Sequence, residues 1–94
     1  MGVTVEIREY VKNRGIELVW DDLAEVSVSR GVDGVIILAN RAGLETLARH
    51  LLTIAQDGVE TGSHIHLDEY SGLEDGSVAL IMERSPDRLD GERD

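Results

Sequence analysis

The histidines at 64 and 66 and the aspartate at 68, in the run Gly62-Ser63-His64-Ile65-His66-Leu67-Asp68, come closest to chemistry in this 94-residue chain. Residues two apart on a strand project the same way, so two imidazoles at this spacing are able to share one metal ion. Asp68 does not complete the set, because at ~3.3 Å per residue it would lie roughly 13 Å from His64. A third ligand would have to come from another segment. The remaining histidine, His50, falls in a helical stretch beside its apolar stripe. The row is therefore read as hydrogen-bonding groups on an open sheet face, with no metal and no cofactor. A small metal-dependent enzyme using His64 and His66 stands as the alternative.

Other catalytic signals are thin. Paired carboxylates occur at Asp21-Asp22, Asp68-Glu69 and Glu74-Asp75, but neighbours in sequence diverge on a strand and are usually solvated in turns. Ser63 next to His64 makes no triad by adjacency, and there is no Gly-x-Ser-x-Gly elbow and no Gly-rich phosphate loop. The chain reads as a protein-binding module and not as an enzyme.

The elements that must hold these residues follow from periodicity. Val3, Val5 and Ile7 alternate with Thr4, Glu6 and Arg8, which predicts a half-buried strand, and Ile16, Leu18 and Trp20 alternate after the turn residues Asn13-Arg14-Gly15. A second hairpin is predicted from Glu25 to Ala39, punctuated by Gly31-Val32-Asp33-Gly34. Its run Val35-Ile36-Ile37-Leu38-Ala39 is apolar on both faces, which suits a central strand covered on both sides.

Asn40 is a good N-cap for a helix ending near Gly58, with Leu44, Leu47, Ala48, Leu51, Leu52 and Ala55 on one stripe. Burying its four leucines would contribute a gross ~6–12 kcal/mol before chain entropy. Gly43 within this helix marks either close contact with a neighbouring backbone or simple tolerance, and tolerance is the favoured reading. His64 to Asp68 and Ser77 to Glu83 close the pattern as two more strands joined by a Ser71–Gly76 loop. The expected fold is α+β: a single largely antiparallel sheet of about six strands, with one amphipathic helix packed on one face. It spans residues 1–84, and residues 85–94 are expected to be a disordered acidic tail.

Nine basic against nineteen acidic residues leave a formal charge of −10, which disfavours nucleic acid and anionic lipid as partners. That acidity serves solubility or selects a basic partner. The chain has no cysteine and no apolar run long enough to span a bilayer, and its start lacks a signal-peptide pattern, so a cytoplasmic location is expected. The sheet face away from the helix would carry His64, His66 and Asp68 beside apolar groups, with Trp20 or Tyr70 as anchors. Such a mixed patch is typical of association surfaces, for a foreign protein or for a homodimer.

The segments Ala39-Asn40-Arg41-Ala42-Gly43-Leu44, Leu47-Ala48, Gly62-Ser63-His64-Ile65-His66-Leu67-Asp68, Gly72-Leu73-Glu74 and Gly76-Ser77 to Ile81 together resemble the immunity protein 32 family of bacterial polymorphic toxin systems. The resemblance covers roughly the second half of the chain. It implies an α+β protein, encoded beside a toxin, that binds the cognate toxin domain and blocks it by occlusion without catalysis. Contact is then expected on the open sheet face and its acidic loop, at His64, His66, Asp68, Glu69, Glu74 and Asp75. A charge of −10 would suit a toxin with a basic cleft.

Overall fold

Gly31 and Gly34 flank the two-residue loop Val32-Asp33, and around it the chain folds back on itself. In the computed structural model, which describes Gly2 and residues 4–88, β1 (Val26–Gly31) and β2 (Gly34–Ala39) form an antiparallel hairpin. Helix α1 (Arg41–Ile54) follows, and β3 (His64–Leu67) then pairs antiparallel with β4 (Leu80–Glu83). The class is α+β as expected, but two sheets of two strands each replace the single six-stranded sheet. The two pairs are stitched along the second edge of β1, where Glu74 N donates to Val26 O at 2.8 Å and Val78 N to Val28 O at 2.9 Å. Between these bonds the Ser77 hydroxyl accepts from Val28 N at 3.1 Å, so a side chain interrupts what would have been a ladder.

The two strands expected before residue 22 do not form. Val3 lies outside the described residues, and from Thr4 to Asp21 the regular pairing is one isolated bridge between Val11 and Gly15. Several backbone polar groups of this segment are satisfied by side chains of α1 and of Gln56 just beyond it, in place of a neighbouring strand. Arg49 donates to Glu6 O and Val19 O, Gln56 donates to Arg8 O and accepts from Tyr10 N, and the Thr46 hydroxyl accepts from Asp21 N. Residues 89–94 of the expected tail lie outside the described residues, and Ser85–Arg88 carry no regular structure.

Helix α1 starts where Asn40, in extended conformation, accepts from Gly43 N at 2.8 Å. Its buried face is Gly43, Thr46, Leu47, His50, Thr53 and Ile54, not the predicted leucine stripe. Leu44, Leu51 and Leu52 are each about half exposed, so Leu47 alone of the four leucines is buried. At about 100° per residue the helix is rotated by roughly a third of a turn from the predicted orientation. Gly43 sets that rotation. A Cβ there would lie 2.6 Å from Glu25 O and 2.8 Å from a Val26 methyl, so the helix approaches β1 at a distance open only to glycine. Gly43 is required by this contact, contrary to the expectation of tolerance. The core beneath it joins Val26 and Val28 of β1, Leu47 and Ile54 of α1, Ile65 and Leu67 of β3, and Leu73 of the loop before β4.

The second departure concerns β2. Val35, Ile36, Ile37 and Leu38 are 45–72% exposed, so the run expected to be central and covered on both sides is an edge strand open on both sides. Its only strand neighbour among the described residues is β1.

His50 sits in the middle of the buried helix face, 1% exposed, with its ring 5.4 Å from that of Trp20 and neither ring nitrogen hydrogen-bonded. Burial, and then the adjacent Arg49 charge, pull its pKa below the ordinary 6.5. The folded protein thus favours neutral His50, and the stability this carries is fully present above about pH 6.5 and lost as pH falls through the lowered value. Urea titrations followed by Trp20 fluorescence should show stability declining from pH 7 to 5, with a shallower decline in His50→Leu. Equal slopes in the two proteins would remove His50 from the acid response. Gly43→Ala should lower stability by about 1–3 kcal/mol, because the added methyl meets backbone; an unchanged urea midpoint would contradict the close approach.

Candidate protein-binding site

The period-two alternation of β3 places Ile65 and Leu67, each 4% exposed, in the core, and turns His64 and His66 outward. The β3–β4 register sets His64 opposite Glu83 and His66 opposite Ile81, so the outward face carries an imidazole row flanked by an exposed isoleucine and a carboxylate. His66 Nε2 lies 3.9 Å from Asp68 Oδ2, and His64 Nδ1 lies 3.3 Å from Gly62 O. Among the described residues no group of three or more His, Asp or Glu side chains is placed to hold a metal ion.

Beyond the row the chain forms a built loop. Asp68 organises it: its Oδ1 accepts from Tyr70 N at 2.9 Å and from the Ser71 hydroxyl at 3.0 Å, and its carbonyl accepts from Ser71 N and Leu73 N. Glu69 closes the far side by accepting from Gly76 N at 2.8 Å. Leu73, 4% exposed, pins the loop into the core, while Tyr70 at its tip is 90% exposed. Gly72, at φ +119°, lies flat against Trp20, whose ring a Cβ would meet at 2.7 Å. Trp20 is thus a support under the loop, and Tyr70 is the exposed aromatic at its tip.

The expected contact residues therefore separate by task. His64, His66 and Asp68 share one outward row, whereas the Asp68 and Glu69 carboxylates are engaged in holding the loop. Asp75 is exposed in the turn, and Glu74 turns toward β1. There it lines a shallow cleft of ≈ 340 Å³ together with Glu25, Ser27, Leu38, Ala39 and Asn40. Two carboxylates beside an apolar wall form a site suited to a lysine or arginine side chain, whose stem lies on Leu38 and whose charge meets the glutamates. Sequence reasoning missed Glu25, Ile81 and Glu83. The cross-strand pairing of 64–67 with 80–83 would have found the last two; nothing local points to Glu25.

Residues 34–85, which run from β2 through β4 and include the whole loop, match the family described as Immunity protein 32. The match covers more than half of the chain, and this protein belongs to that family. No curated protein and no solved structure matches the chain. No helix among the described residues is long and apolar enough to cross a membrane.

The loop's presentation of Tyr70 depends on the contact of Gly72 with Trp20. Gly72→Ala should therefore shift the Trp20 emission and lower the urea midpoint, through both the positive φ and the ring contact. Unchanged emission would show that Trp20 does not support the loop.

Proposed function

We propose that this protein is the immunity partner of a bacterial toxin domain, which it binds in the cytoplasm of the producing cell and neutralises by occlusion, without catalysis. The observation that carries this reading is the family match, because residues 34–85 hold the outward row, the loop and one wall of the acidic cleft. Tyr70 serves as the central anchor, a large, rigid and exposed ring on a loop already ordered by Asp68 and Glu69, so little entropy is lost when it is buried. His64, His66, Ile81 and Glu83 form the adjoining contact face, and Glu74, Asp75 and Glu25 set the preference for a basic partner. A net charge of −10 speeds encounter with a toxin whose active cleft is basic and disfavours acidic competitors.

The test is binding to the toxin encoded beside this protein's gene, measured by calorimetry over a range of salt. Tyr70→Ala should weaken binding by roughly 30-fold, about 2 kcal/mol. The His64→Ala, His66→Ala and Glu74→Ala triple variant should weaken it further, and affinity of the unaltered protein should fall as salt rises. A toxin that binds the triple variant and Tyr70→Ala as tightly as the parent would rule out this surface. No binding by the unaltered protein would rule out the partnership itself.

A further inference from the structure

We infer that β2 pairs with β2 of a second copy of this chain about a two-fold axis through Ile37, joining the two β1–β2 hairpins into one continuous four-stranded sheet. The inference concerns the free edge of β2, which adjoins the acidic cleft at Leu38 and Ala39, and it needs no toxin.

Four residues of β2, Val35 to Leu38, are apolar, alternate between both faces and are 45–72% exposed. A strand apolar on both faces belongs inside a sheet, yet the chain's own fold leaves this one at an edge. Edge strands of stable monomers are normally protected by a lysine, a proline or a bulge. Gly34–Ala39 has none of these: it pairs with β1 without interruption and carries no charge. In a chain of net charge −10, an uncharged strand lets two acidic copies approach without like charges meeting along it.

The pleat restricts the register. A two-fold axis perpendicular to the sheet keeps each face on its own side, so a residue can oppose only residues of the same parity on the second copy. Centring on Ile36 would set Gly34 against Leu38 and Asp33 against Ala39. Centring on Ile37 sets Ile37 against its own copy, Ile36 against Leu38 and Val35 against Ala39, so every apolar residue meets an apolar one. The same register carries Asp33, exposed in the hairpin loop, to the level of the second copy's Arg41 at the start of α1. That arginine's side chain is 86% exposed, with its Nε paired to Glu45 Oε1 at 2.9 Å within its own helix, and the opposed charges recur at both ends of the pairing. Hydrophobic match and charge complementarity therefore select one register.

Sedimentation of the full chain should give twice the chain mass. Ile36→Lys with Leu38→Lys, two exposed positions on the outward face, should give a monomer with an unchanged circular dichroism spectrum. Should that variant misfold, Asp33→Arg alone should weaken the dimer, and adding Arg41→Asp to the same chain should restore it. Because the protein has no cysteine, a single introduced thiol reports the register without background. Opposed strand residues lie ~4.5–5.5 Å apart at Cα, within disulfide reach, so Ile37→Cys chains should crosslink on mild oxidation and Val32→Cys chains should not. A monomeric parent chain, a dimer that survives the lysine substitutions in a folded protein, or crosslinking through position 32 in preference to 37 would overturn the proposal.

Discussion

The carboxamide of Asn40 is the joint on which the fold turns. Its oxygen accepts from Gly43 N and from Glu25 N, and its nitrogen donates to Leu23 O and to the Glu25 carboxylate. One side chain therefore caps α1, fixes the start of β1 and ties down the segment leading into it. Backbone bonding reinforces the joint, since Asn40 N donates to Glu25 O. Gly43, one turn into the helix, then rests directly on Glu25 O and Val26. Together the two residues fix where the helix begins and how it is rotated about its axis, and all the packing beneath α1 follows from that rotation.

With the helix so rotated, Leu47, His50 and Ile54 face the core while Leu44, Leu51 and Leu52 remain in contact with water. The protein closes its interior with threonines, a histidine and a glycine at positions where leucines were available. It keeps those leucines, and the apolar β2, outside. The other exposed features are more polar: the imidazole row, the ordered loop and the Glu25–Glu74 cleft, which Leu38 and Ala39 of β2 help to line. Each surface has a chemistry suited to a different occupant, apolar and uncharged at β2, acidic and hydrogen-bonding at β3 and the loop.

Parts of this were legible in the residues. The alternation His64-Ile65-His66-Leu67 fixed both a strand and the outward aim of its histidines, because period two allows only one assignment once Ile65 and Leu67 are buried. Asn40 announced the helix start through its capping chemistry. The helix face was misjudged because counting leucines gives weight to hydrophobicity, whereas the rotation is decided by how closely Gly43 lets two backbones approach. Val35 to Leu38 read correctly as a strand, but apolar residues on both faces fit a central strand and an exposed edge equally, and periodicity does not say which. The alternation before residue 22 says nothing of where its backbone hydrogen bonds go, and here they go to Arg49, Gln56 and Thr46. Of the candidate site, the histidine row was legible. The meeting of Glu25 with Glu74 was not, since it depends on the chain from Glu74 to Val78 lying along β1.

The segment before β1 is held by side chains of α1 and of Gln56 just beyond it, and not by a ladder. The bonds come from Thr46, Arg49 and Gln56, and they act beside the packing of Ile16 and Trp20 on the core. The protein thus has two levels of order: a hub of helix, loop and paired strands, and an arm clasped to its side. Lifting that arm would bare the Arg49 guanidinium, a basic group otherwise spent on backbone carbonyls, on the surface of an acidic protein.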